Sequence, residues 1–164
     1  MHNIREKNAV SDDARQWKGP FKSPTPQELA DRYAVSQLVK IYALGVDLRD
    51  MDIVFSAFAP DARAEGSISG GPVSEYLPSV AGGAAEYKGG TQHNITNQHV
   101  TLNGDEALVW SYAIAIHKHL ADDERPNLDM GVVYKDTCRR FPEGWLIVHR
   151  KVSVLWAQKS EKAK

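Results

Sequence analysis

Residues 91–100 read TQHNITNQHV, and here the pattern of the chain changes from helical to extended. Threonine, isoleucine and valine favour a strand, and the Asn103–Gly104 pair that follows is a strong signal for a hairpin turn. Side chains of a strand alternate between two faces, which predicts that His93, Asn97 and His99 share one face. Neither face is apolar, so the stretch predicts a strand that lines a polar feature inside the domain.

An antiparallel meander of four strands is predicted from this point onward. The strands span 91–102, 106–119, 128–140 and 145–157, and the loops NGDE, LADDERPN and FPEGW join them. Each loop is polar or contains glycine, as turns between neighbouring strands require. The C-terminal half of the chain therefore predicts a β-sheet.

A long helix is predicted well before the meander. Thr25 can cap a helix that begins at Pro26, because Glu28 lies three residues after the cap and completes a capping box. The apolar periodicity runs to about Leu44, and Gly45 is expected to terminate the helix.

Shorter elements are predicted between this helix and the meander. Asp50 caps a second helix that Pro60 stops, and a short strand at 62–67 and a short helix at 73–80 follow. Helices followed by a meander predict an α+β fold, with the helices packed on one face of a curled sheet.

The composition predicts a single soluble domain. Of 164 residues, 42% are hydrophobic and 25% are charged, which is typical of globular proteins. We expect residues 1–24 to form a flexible N-terminal arm, residues 25–157 the folded domain and residues 158–164 a charged tail.

Composition also argues against several function classes. A net charge of −1 provides no electrostatic footprint for nucleic acid. The longest mainly apolar run, ALVWSYAIAI, is about half the length that a membrane-spanning helix needs. The polar N-terminus predicts no secretory signal, and the single Cys138 cannot form a disulfide within the chain. We therefore expect a cytoplasmic protein that binds neither nucleic acid nor membranes.

An arginine interrupts the apolar pattern of the last predicted strand. Alternation between residues 146 and 156 gives one face of leucine, valine and tryptophan, and Arg150 stands in the middle of that face. A buried guanidinium keeps its charge, so it needs an anionic partner or a polar cavity. The alternatives are a structural pair with a carboxylate and a side chain that reaches solvent near the sheet edge.

Three further residues are candidates for a catalytic site. Asp47 lies just past the predicted end of the first helix, where the helix dipole disfavours negative charge, so it is either a solvated surface residue or held by donors. If His93 is hydrogen-bonded to a carboxylate, it is oriented and more basic, as a general base requires; otherwise it is a satisfied core or surface histidine. Tyr42 has a ring suited to core packing and a hydroxyl that could donate into a cavity.

Other motifs do not favour a further chemistry. His117 and His119 form an HKH pair on one strand face, but a third ligand with suitable spacing is missing, so we predict no metal site. The sequence contains no GxSxG, CxxC, HExxH or glycine-rich phosphate loop, which leaves nucleophilic hydrolysis and nucleotide chemistry without support. No cofactor is predicted.

Three segments together resemble a known family: LVKIYALGVDLRDMDIVFSAFAPDA, TQHNITN and GWLIVHRKV. Their layout is similar to SnoaL-like domains of the nuclear-transport-factor-2-like superfamily, and most similar to the branch of scytalone dehydratase, lindane dehydrochlorinase and bile-acid 7α-dehydratase. The resemblance spans about residues 26–157. It implies a cone-shaped α+β barrel, in which N-terminal helices pack on a strongly curved, mainly antiparallel sheet.

The same resemblance implies a set of catalytic residues. In these enzymes an aspartate after the first helix and a histidine on the following long strand form a dyad, and these positions fall on Asp47 and His93. A site residue five positions before the aspartate falls on Tyr42. Arg150, five residues after Trp145, matches an arginine of the dehydrochlorinase.

The activity implied by the resemblance is that of a cofactor-independent lyase, of dehydratase or dehydrohalogenase type, with a small, mostly apolar and cyclic substrate. The alternatives are an isomerase or polyketide-type cyclase that uses the same base, and a non-catalytic ligand-binding or assembly domain. We also expect a homo-oligomer, either a dimer or a trimer. The expected wall of the substrate cavity consists of Phe55, Phe58, Trp110, Tyr112, Ile114, Met130 and Trp156.

Overall fold

The structure, a computed structural model, describes residues 19–66 and 69–160. Three helices and six strands follow one another in these residues. They are α1 (Pro26–Leu48), α2 (Met51–Ser56), β1 (Phe58–Glu65), β2 (Gly70–Pro72), α3 (Val73–Ala85), β3 (Gly90–Asn103), β4 (Glu106–Lys118), β5 (Asn127–Phe141) and β6 (Gly144–Ser160). Residues 1–18 of the predicted arm and 161–164 of the predicted tail lie outside the described residues.

The six strands form one sheet in the order β2-β1-β6-β5-β4-β3. β1 pairs with β6 in parallel, and the other neighbouring strands are antiparallel. The helix α1 packs mainly against β3. The predicted α+β fold, with N-terminal helices on a curved and mainly antiparallel sheet, is confirmed.

The first helix begins as predicted but ends later. The Thr25 hydroxyl accepts a hydrogen bond from the Glu28 amide, and the Glu28 side chain accepts one from the Thr25 amide, which completes the capping box. The helix continues through Gly45 and ends before Arg49, which adopts the left-handed conformation with φ 60°. Asp47 therefore lies in the last turn of α1 rather than in the loop after it.

Gly45 has a packing function in the structure instead of a terminating one. A Cβ at this position would lie 2.7 Å from both the amide nitrogen and the Cγ2 of Val54, and 3.0 Å from the Asp50 carbonyl oxygen. The absence of a side chain lets α2 lie directly against α1. The predicted cap of α2 is confirmed, because the Asp50 carboxylate accepts hydrogen bonds from the Asp52 and Ile53 amides.

A bulge interrupts β3 near its middle. Ile95 pairs with Ala113 of β4, but Gln98 pairs with Ser111, so β3 contains one more residue than β4 between these pairs. One extra residue reverses the inward and outward alternation beyond it.

Because of this bulge, the side chains of β3 beyond Ile95 lie on faces opposite to the predicted ones. Gln98 lies on the face of His93, where its side-chain amide donates to the Ser111 hydroxyl. His99 pairs with Trp110, on the opposite face of the sheet. The prediction that His93, Asn97 and His99 share one face is therefore wrong, since the alternation was counted through a bulge.

β6 contains two bulges relative to β5, at Val148 and at Leu155. Before the first bulge, Trp145 and Ile147 are buried. Beyond it, the inner face continues at Arg150, which is 0% exposed. The predicted single apolar face from residue 146 to residue 156 is thus split into three parts.

The second bulge turns the end of β6 outward. Gly131 of β5 pairs with Trp156, whereas the next residue, Val132, pairs with Val154. The Trp156 indole lies over Gly131, which has no side chain to hinder it. Trp156 is 47% exposed as a result.

The core lies between the helices and the inner face of the sheet. The core contains Val35, Leu38, Val39, Tyr42, Val46, Val54, Phe58, Leu77, Val109, Val132, Tyr134, Trp145 and Ile147.

None of the helices in residues 19–66 and 69–160 combines the length and the apolar character needed to cross a membrane.

Candidate active site

A cavity of about 330 Å³ opens between α1, α3 and the inner face of strands β3 to β6. Most of its wall is aliphatic, with Val46, Val80, Ala115, Leu128, Met130, Val132, Val152 and Val154 among the lining residues. Its polar or aromatic lining residues are Tyr42, Tyr76, Tyr87, His93, His117 and Tyr134. A mostly apolar wall with a few polar groups is the usual composition of a small-molecule site.

The structure joins His93, which lines this cavity, to Asp47. The His93 Nδ1 atom lies 2.7 Å from the Asp47 Oδ1 atom, and the His93 backbone amide donates to Oδ2 over 2.8 Å. The Thr91 hydroxyl donates to Oδ1 over 2.9 Å. The His93 side chain is 7% exposed and the Asp47 side chain 23%. The last turn of α1 and the start of β3 thus hold the pair from two sides.

These donors keep the Asp47 carboxylate ionised. Burial raises the pKa of Asp47, but the hydrogen bonds from His93 and Thr91 outweigh it and hold the pKa below its ordinary value. They also offset the helix dipole, which disfavours an anion in the last turn of α1.

An ionised carboxylate can only accept hydrogen bonds, so the His93 Nδ1 atom must be the donor. In the neutral ring, the Nε2 atom then carries the free lone pair. The carboxylate fixes the tautomer and the orientation of the imidazole, and His93 lines the cavity. This is the arrangement that a general base requires.

Tyr42 also lines the cavity, from the side of α1. It is 4% exposed, and its ring meets the Tyr134 ring edge to face, with 5.7 Å between the centroids. Burial raises the pKa of Tyr42, so its hydroxyl stays protonated at neutral pH and can act as a hydrogen-bond donor.

Arg150 lies behind Tyr42 and is not among the residues that line the cavity. Its Nε and Nη2 atoms donate to the two carboxylate oxygens of Asp136, each over 2.7 Å. The guanidinium carbon lies 4.3 Å from the Tyr42 ring centroid, 4.7 Å from that of Tyr134 and 5.0 Å from that of Phe58. Arg150 can therefore act on the cavity only through these rings or through its electric field.

The structure places the predicted wall residues in different parts of the fold. Met130 lines the cavity. Phe58 is buried beneath Tyr42, with 6.1 Å between the ring centroids, and Phe55 packs partly buried against the core. Trp156 faces away because of the bulge at Leu155.

Three further predicted wall residues lie on the outer face of the sheet: Trp110, Tyr112 and Ile114. Along β4 the buried positions are instead filled by small residues, among them Ser111, Ala113 and Ala115. Small inward side chains leave room for a cavity, whereas larger ones in their place would fill it. This alternation of small and large residues is the signal in the sequence that could have identified the concave face.

His117, which the sequence offered only as half of an HKH pair, lines the cavity. It is 5% exposed, its ring centroid lies 5.6 Å from that of His93, and its Nδ1 atom lies 3.1 Å from the Leu128 carbonyl oxygen. Burial lowers the pKa of His117, which favours the neutral ring. Because a carbonyl oxygen can only accept, Nδ1 donates and Nε2 is left as an acceptor. Its position two residues beyond Ala115 on the small-residue face of β4 could have predicted this.

The remaining histidine of the HKH pair lies beside the cavity. The His119 ring stacks on Tyr87, with 4.4 Å between the centroids, and its Nδ1 atom lies 3.4 Å from an Asp123 carboxylate oxygen. Within the described ranges, no group of three or more His, Cys, Asp or Glu side chains is placed to hold a metal ion.

Comparison with known proteins gives a family match. The model of the SnoaL-like domain family matches residues 27–151. An uncharacterized protein of Mycobacterium tuberculosis (strain ATCC 25618 / H37Rv) is 32% identical over 130 residues, which cover 75% of this chain and 84% of that protein.

Solved structures share the fold. A scytalone-dehydratase-like protein from Novosphingobium aromaticivorans is 20% identical with a TM-score of 0.73, over 85% of this chain and 94% of that one. The hexachlorocyclohexane dehydrochlorinase LinA-type3 from Novosphingobium barchaimii is 16% identical with a TM-score of 0.69, over 80% and 91%. At these identities the comparison establishes a shared architecture.

Proposed function

Because the chain belongs to the SnoaL-like domain family, we propose that it is a cofactor-independent lyase that removes a carbon-bound proton from a small, mostly apolar and cyclic substrate. The observation that carries the proposal is the 2.7 Å hydrogen bond between His93 and Asp47 in the wall of a mostly apolar cavity. Structural neighbours that include dehydrochlorinases and a scytalone-dehydratase-like protein support the same class of reaction.

In the proposed step, the His93 Nε2 atom takes a proton from a substrate carbon. The electron pair of the broken C–H bond forms the new C=C bond, while the bond from the neighbouring carbon to a hydroxyl or halide breaks. When hydroxide departs, the proton held by His93 completes a molecule of water. When halide departs, the proton passes to solvent. Asp47 orients the imidazole and stabilises the imidazolium that forms.

Tyr42 is the proposed hydrogen-bond donor to the departing or enolising oxygen. Tyr42 is buried and lines the same cavity as His93. The fixed positive charge of Arg150, 4.3 Å from the Tyr42 ring centroid, favours negative charge that develops on that side of the cavity.

An isomerase or cyclase remains the second candidate, because it needs the same first step. The same base would form the same carbanion-like species, which is then reprotonated or attacks a carbonyl instead of expelling a leaving group. The products distinguish these outcomes, since only a lyase releases water or hydrogen halide.

The test is solvent exchange and elimination in D₂O with cyclic hydroxyketones, halogenated cyclohexanes and polycyclic ketones. Mass spectrometry detects loss of water or hydrogen halide, and NMR detects deuterium at carbon. We expect His93→Ala to reduce turnover about 10²- to 10⁴-fold. His99→Ala is the matched control, because it changes the same residue type on the outer face of the same strand and should leave turnover unchanged.

The melting temperature separates catalysis from stability. Asp47 retains the Thr91 hydroxyl and a backbone amide in His93→Ala, so we expect the melting temperature to change by less than about 3 °C. A large drop in melting temperature, or equal turnover by wild type and His93→Ala, would contradict the assignment of His93 as the base.

Asp47→Asn tests the non-catalytic alternative. An asparagine preserves the shape of the site but can no longer stabilise an imidazolium, so turnover should fall while substrate affinity stays within about threefold. A pure binding domain would show affinity without any turnover in the wild type.

A further inference from the structure

Thr91 and His93 hold the same carboxylate from neighbouring inward positions of β3. They lie two residues apart and before the bulge that follows Ile95, so their side chains share one face of the strand. The Thr91 hydroxyl donates to the Oδ1 atom of Asp47 over 2.9 Å, and the His93 Nδ1 atom lies 2.7 Å from the same oxygen. The His93 backbone amide donates to the other oxygen, Oδ2. Three donors from the segment TQH thus converge on one carboxylate.

Two donors share the Oδ1 atom, and they differ in what they do to the imidazole. The contact with His93 becomes an ion pair when the ring takes up a proton, and the strength of this pair depends on the negative charge that Oδ1 still offers. The hydroxyl of Thr91 is a neutral donor that withdraws part of that charge. Burial raises the pKa of Asp47, whereas the hydrogen bonds from His93 and, to a smaller extent, from Thr91 lower it. A less basic carboxylate stabilises an imidazolium less.

Asp47 is the charged group in direct contact with the His93 ring. Arg150 lies behind Tyr42 and is paired with Asp136 through two hydrogen bonds. Burial lowers the pKa of His117, which keeps that ring neutral near pH 7. The tyrosines that line the cavity have phenol groups, which are uncharged at this pH; they are Tyr42, Tyr76, Tyr87 and Tyr134. Hydrogen bonds to the Asp47 carboxylate are therefore the direct means of adjusting the basicity of His93.

We infer that Thr91 is a positioning residue of the site: its hydroxyl fixes the Asp47 carboxylate and takes up part of its charge, so that His93 stays unprotonated near neutral pH. A general base must be free of its proton at the working pH and still be basic enough to remove one from carbon. Asp47 favours the protonated ring, and Thr91 moderates this effect. The inference rests on the proposed function only in assigning His93 as the base, because Thr91 acts on the imidazole without any substrate.

The test is the titration of the His93 ring in the protein without ligand, followed by ¹⁵N NMR, with His93→Ala used to assign its signals. We expect His93 in Thr91→Val to titrate about 0.5–1 pH unit higher than in the wild type, because the carboxylate loses a hydrogen bond and becomes more basic. Valine has nearly the shape of threonine, so the hydroxyl is the main change. Thr91→Ser retains a hydroxyl donor and should return the titration to the wild-type value.

Thr96→Val is the matched control, because it removes the same hydroxyl group from the same strand. The Thr96 hydroxyl donates to the Tyr112 carbonyl oxygen over 3.3 Å, away from Asp47. This variant should leave the titration of His93 unchanged. The inference would be overturned if His93 titrated at the same pH or lower in Thr91→Val than in the wild type, or if Thr91→Ser behaved like Thr91→Val.

A measurement on the wild type keeps the test decisive if circular dichroism shows that Thr91→Val is unfolded. The hydrogen bond to the carboxylate should slow the exchange of the Thr91 hydroxyl proton with water, so that NMR detects this proton at low temperature. Its signal should then move as the His93 ring is protonated. A hydroxyl proton that exchanges too fast to be detected, or whose signal ignores the state of His93, would overturn the inference.

The two proposals fail in different experiments. Any compound that exchanges a proton in the wild type should show an acid limb of kcat/KM that is shifted upward in Thr91→Val by the same pH interval. Exchange that depends on His93, without a difference in titration between wild type and Thr91→Val, would retain the proposed chemistry and overturn the role of Thr91. A difference in titration without exchange in any compound would support the role of Thr91 and contradict the proposed chemistry.

Discussion

Asp136 makes it possible for a charged arginine to stand at the centre of the fold. Arg150 is 0% exposed, and the two side chains of the pair share two hydrogen bonds. A buried charge without its partner is strongly destabilising, even where the intact pair adds little to stability. The pair is therefore the residue-scale feature whose removal has the most predictable effect.

We predict that Asp136→Ala lowers the free energy of unfolding by about 3–5 kcal/mol, measured by urea denaturation. Glu106→Ala is the control, because its partner Arg139 is exposed and lies 3.6 Å away. Breaking this surface pair should change stability by less than about 1 kcal/mol. Similar losses in the two variants would contradict the buried pair described above.

His117 should make the fold sensitive to acid. Burial, with a smaller contribution from His93, lowers the pKa of His117 below its ordinary value of 6.5, against the opposing charges of Asp47 and Asp129. The unfolded chain then binds a proton at a higher pH than the folded protein does, so the free energy of unfolding falls as pH drops below about 6.5. We predict that His117→Gln shows a shallower fall than wild type between pH 7 and pH 5. Parallel stability curves for the two proteins would contradict this.

The residues of the site differ in how well the sequence predicted them. Asp47 and His93 stood out because each contradicted its local pattern, one by its place at a helix end and the other in a strand without an apolar face. Tyr134 did not stand out, since a tyrosine in a strand is ordinary, and His117 stood out only as half of an HKH pair considered for metal binding. Only the pairing of β4 with β5 brings these two side chains to the cavity.

At the scale of elements, the contact between α1 and α2 depends on a single glycine. A Cβ on Gly45 would meet the amide nitrogen and the Cγ2 of Val54 at 2.7 Å, and these atoms belong to a well-packed helix that cannot move freely. The turn at Arg49 that joins the two helices leaves little slack, so the helices would have to separate.

We predict that Gly45→Ala lowers the free energy of unfolding by about 1–3 kcal/mol, as overpacking does. Gly82→Ala in α3 is the matched control, because a Cβ there has no neighbour within 4 Å. Alanine favours a helix more than glycine does, so this variant should be more stable by about 0.5–1 kcal/mol. Thermal and urea unfolding should show a loss of stability in Gly45→Ala and a gain in Gly82→Ala. A change of the same sign in both variants would contradict the packing function of Gly45.

Strand boundaries were predictable, but the faces of the strands were not. The four meander strands lie within three residues of their predicted ends. Each of the bulges at residues 95–98, 148 and 155 reverses the alternation of side chains between the two faces of the sheet. The local amino-acid composition does not indicate where these bulges occur. The wrong faces of Asn97, His99 and Trp156 all follow from these bulges.

At the scale of the whole molecule, the outer face of the sheet carries exposed apolar side chains. Leu155 is 55% exposed and Trp156 47%, and Tyr112 and Ile114 lie beside them around a shallow depression. Patches of this kind often mark a protein interface. The expected homo-oligomer would cover this face with a second copy of the chain.

We predict a solution mass of two or three times that of the monomer, measured by light scattering at micromolar concentration. Trp156→Glu should shift this mass to that of the monomer, because a carboxylate is costly to bury in an interface. Leu29→Glu, on an exposed position of α1, should leave the mass unchanged. A monomeric wild type would contradict the prediction.

The overall architecture was the most predictable level of all. The capping box at Thr25, the helix cap at Asp50 and the hairpin signals between the strands are local patterns, so an error in strand register does not affect them. The parallel pairing of β1 with β6 joins residues far apart in sequence, and no local pattern indicates it.

The hydrogen bond between Asp47 and His93 joins residues 46 positions apart, one at the end of a helix in the first half of the chain and the other on a strand in the second half. Neither half can assemble this contact by itself. Enzymatic competence should therefore emerge only at the last stage of refolding, and titration with urea should abolish turnover and near-ultraviolet dichroism at the same midpoint. Turnover would then measure the fraction of molecules in a preparation that are natively folded.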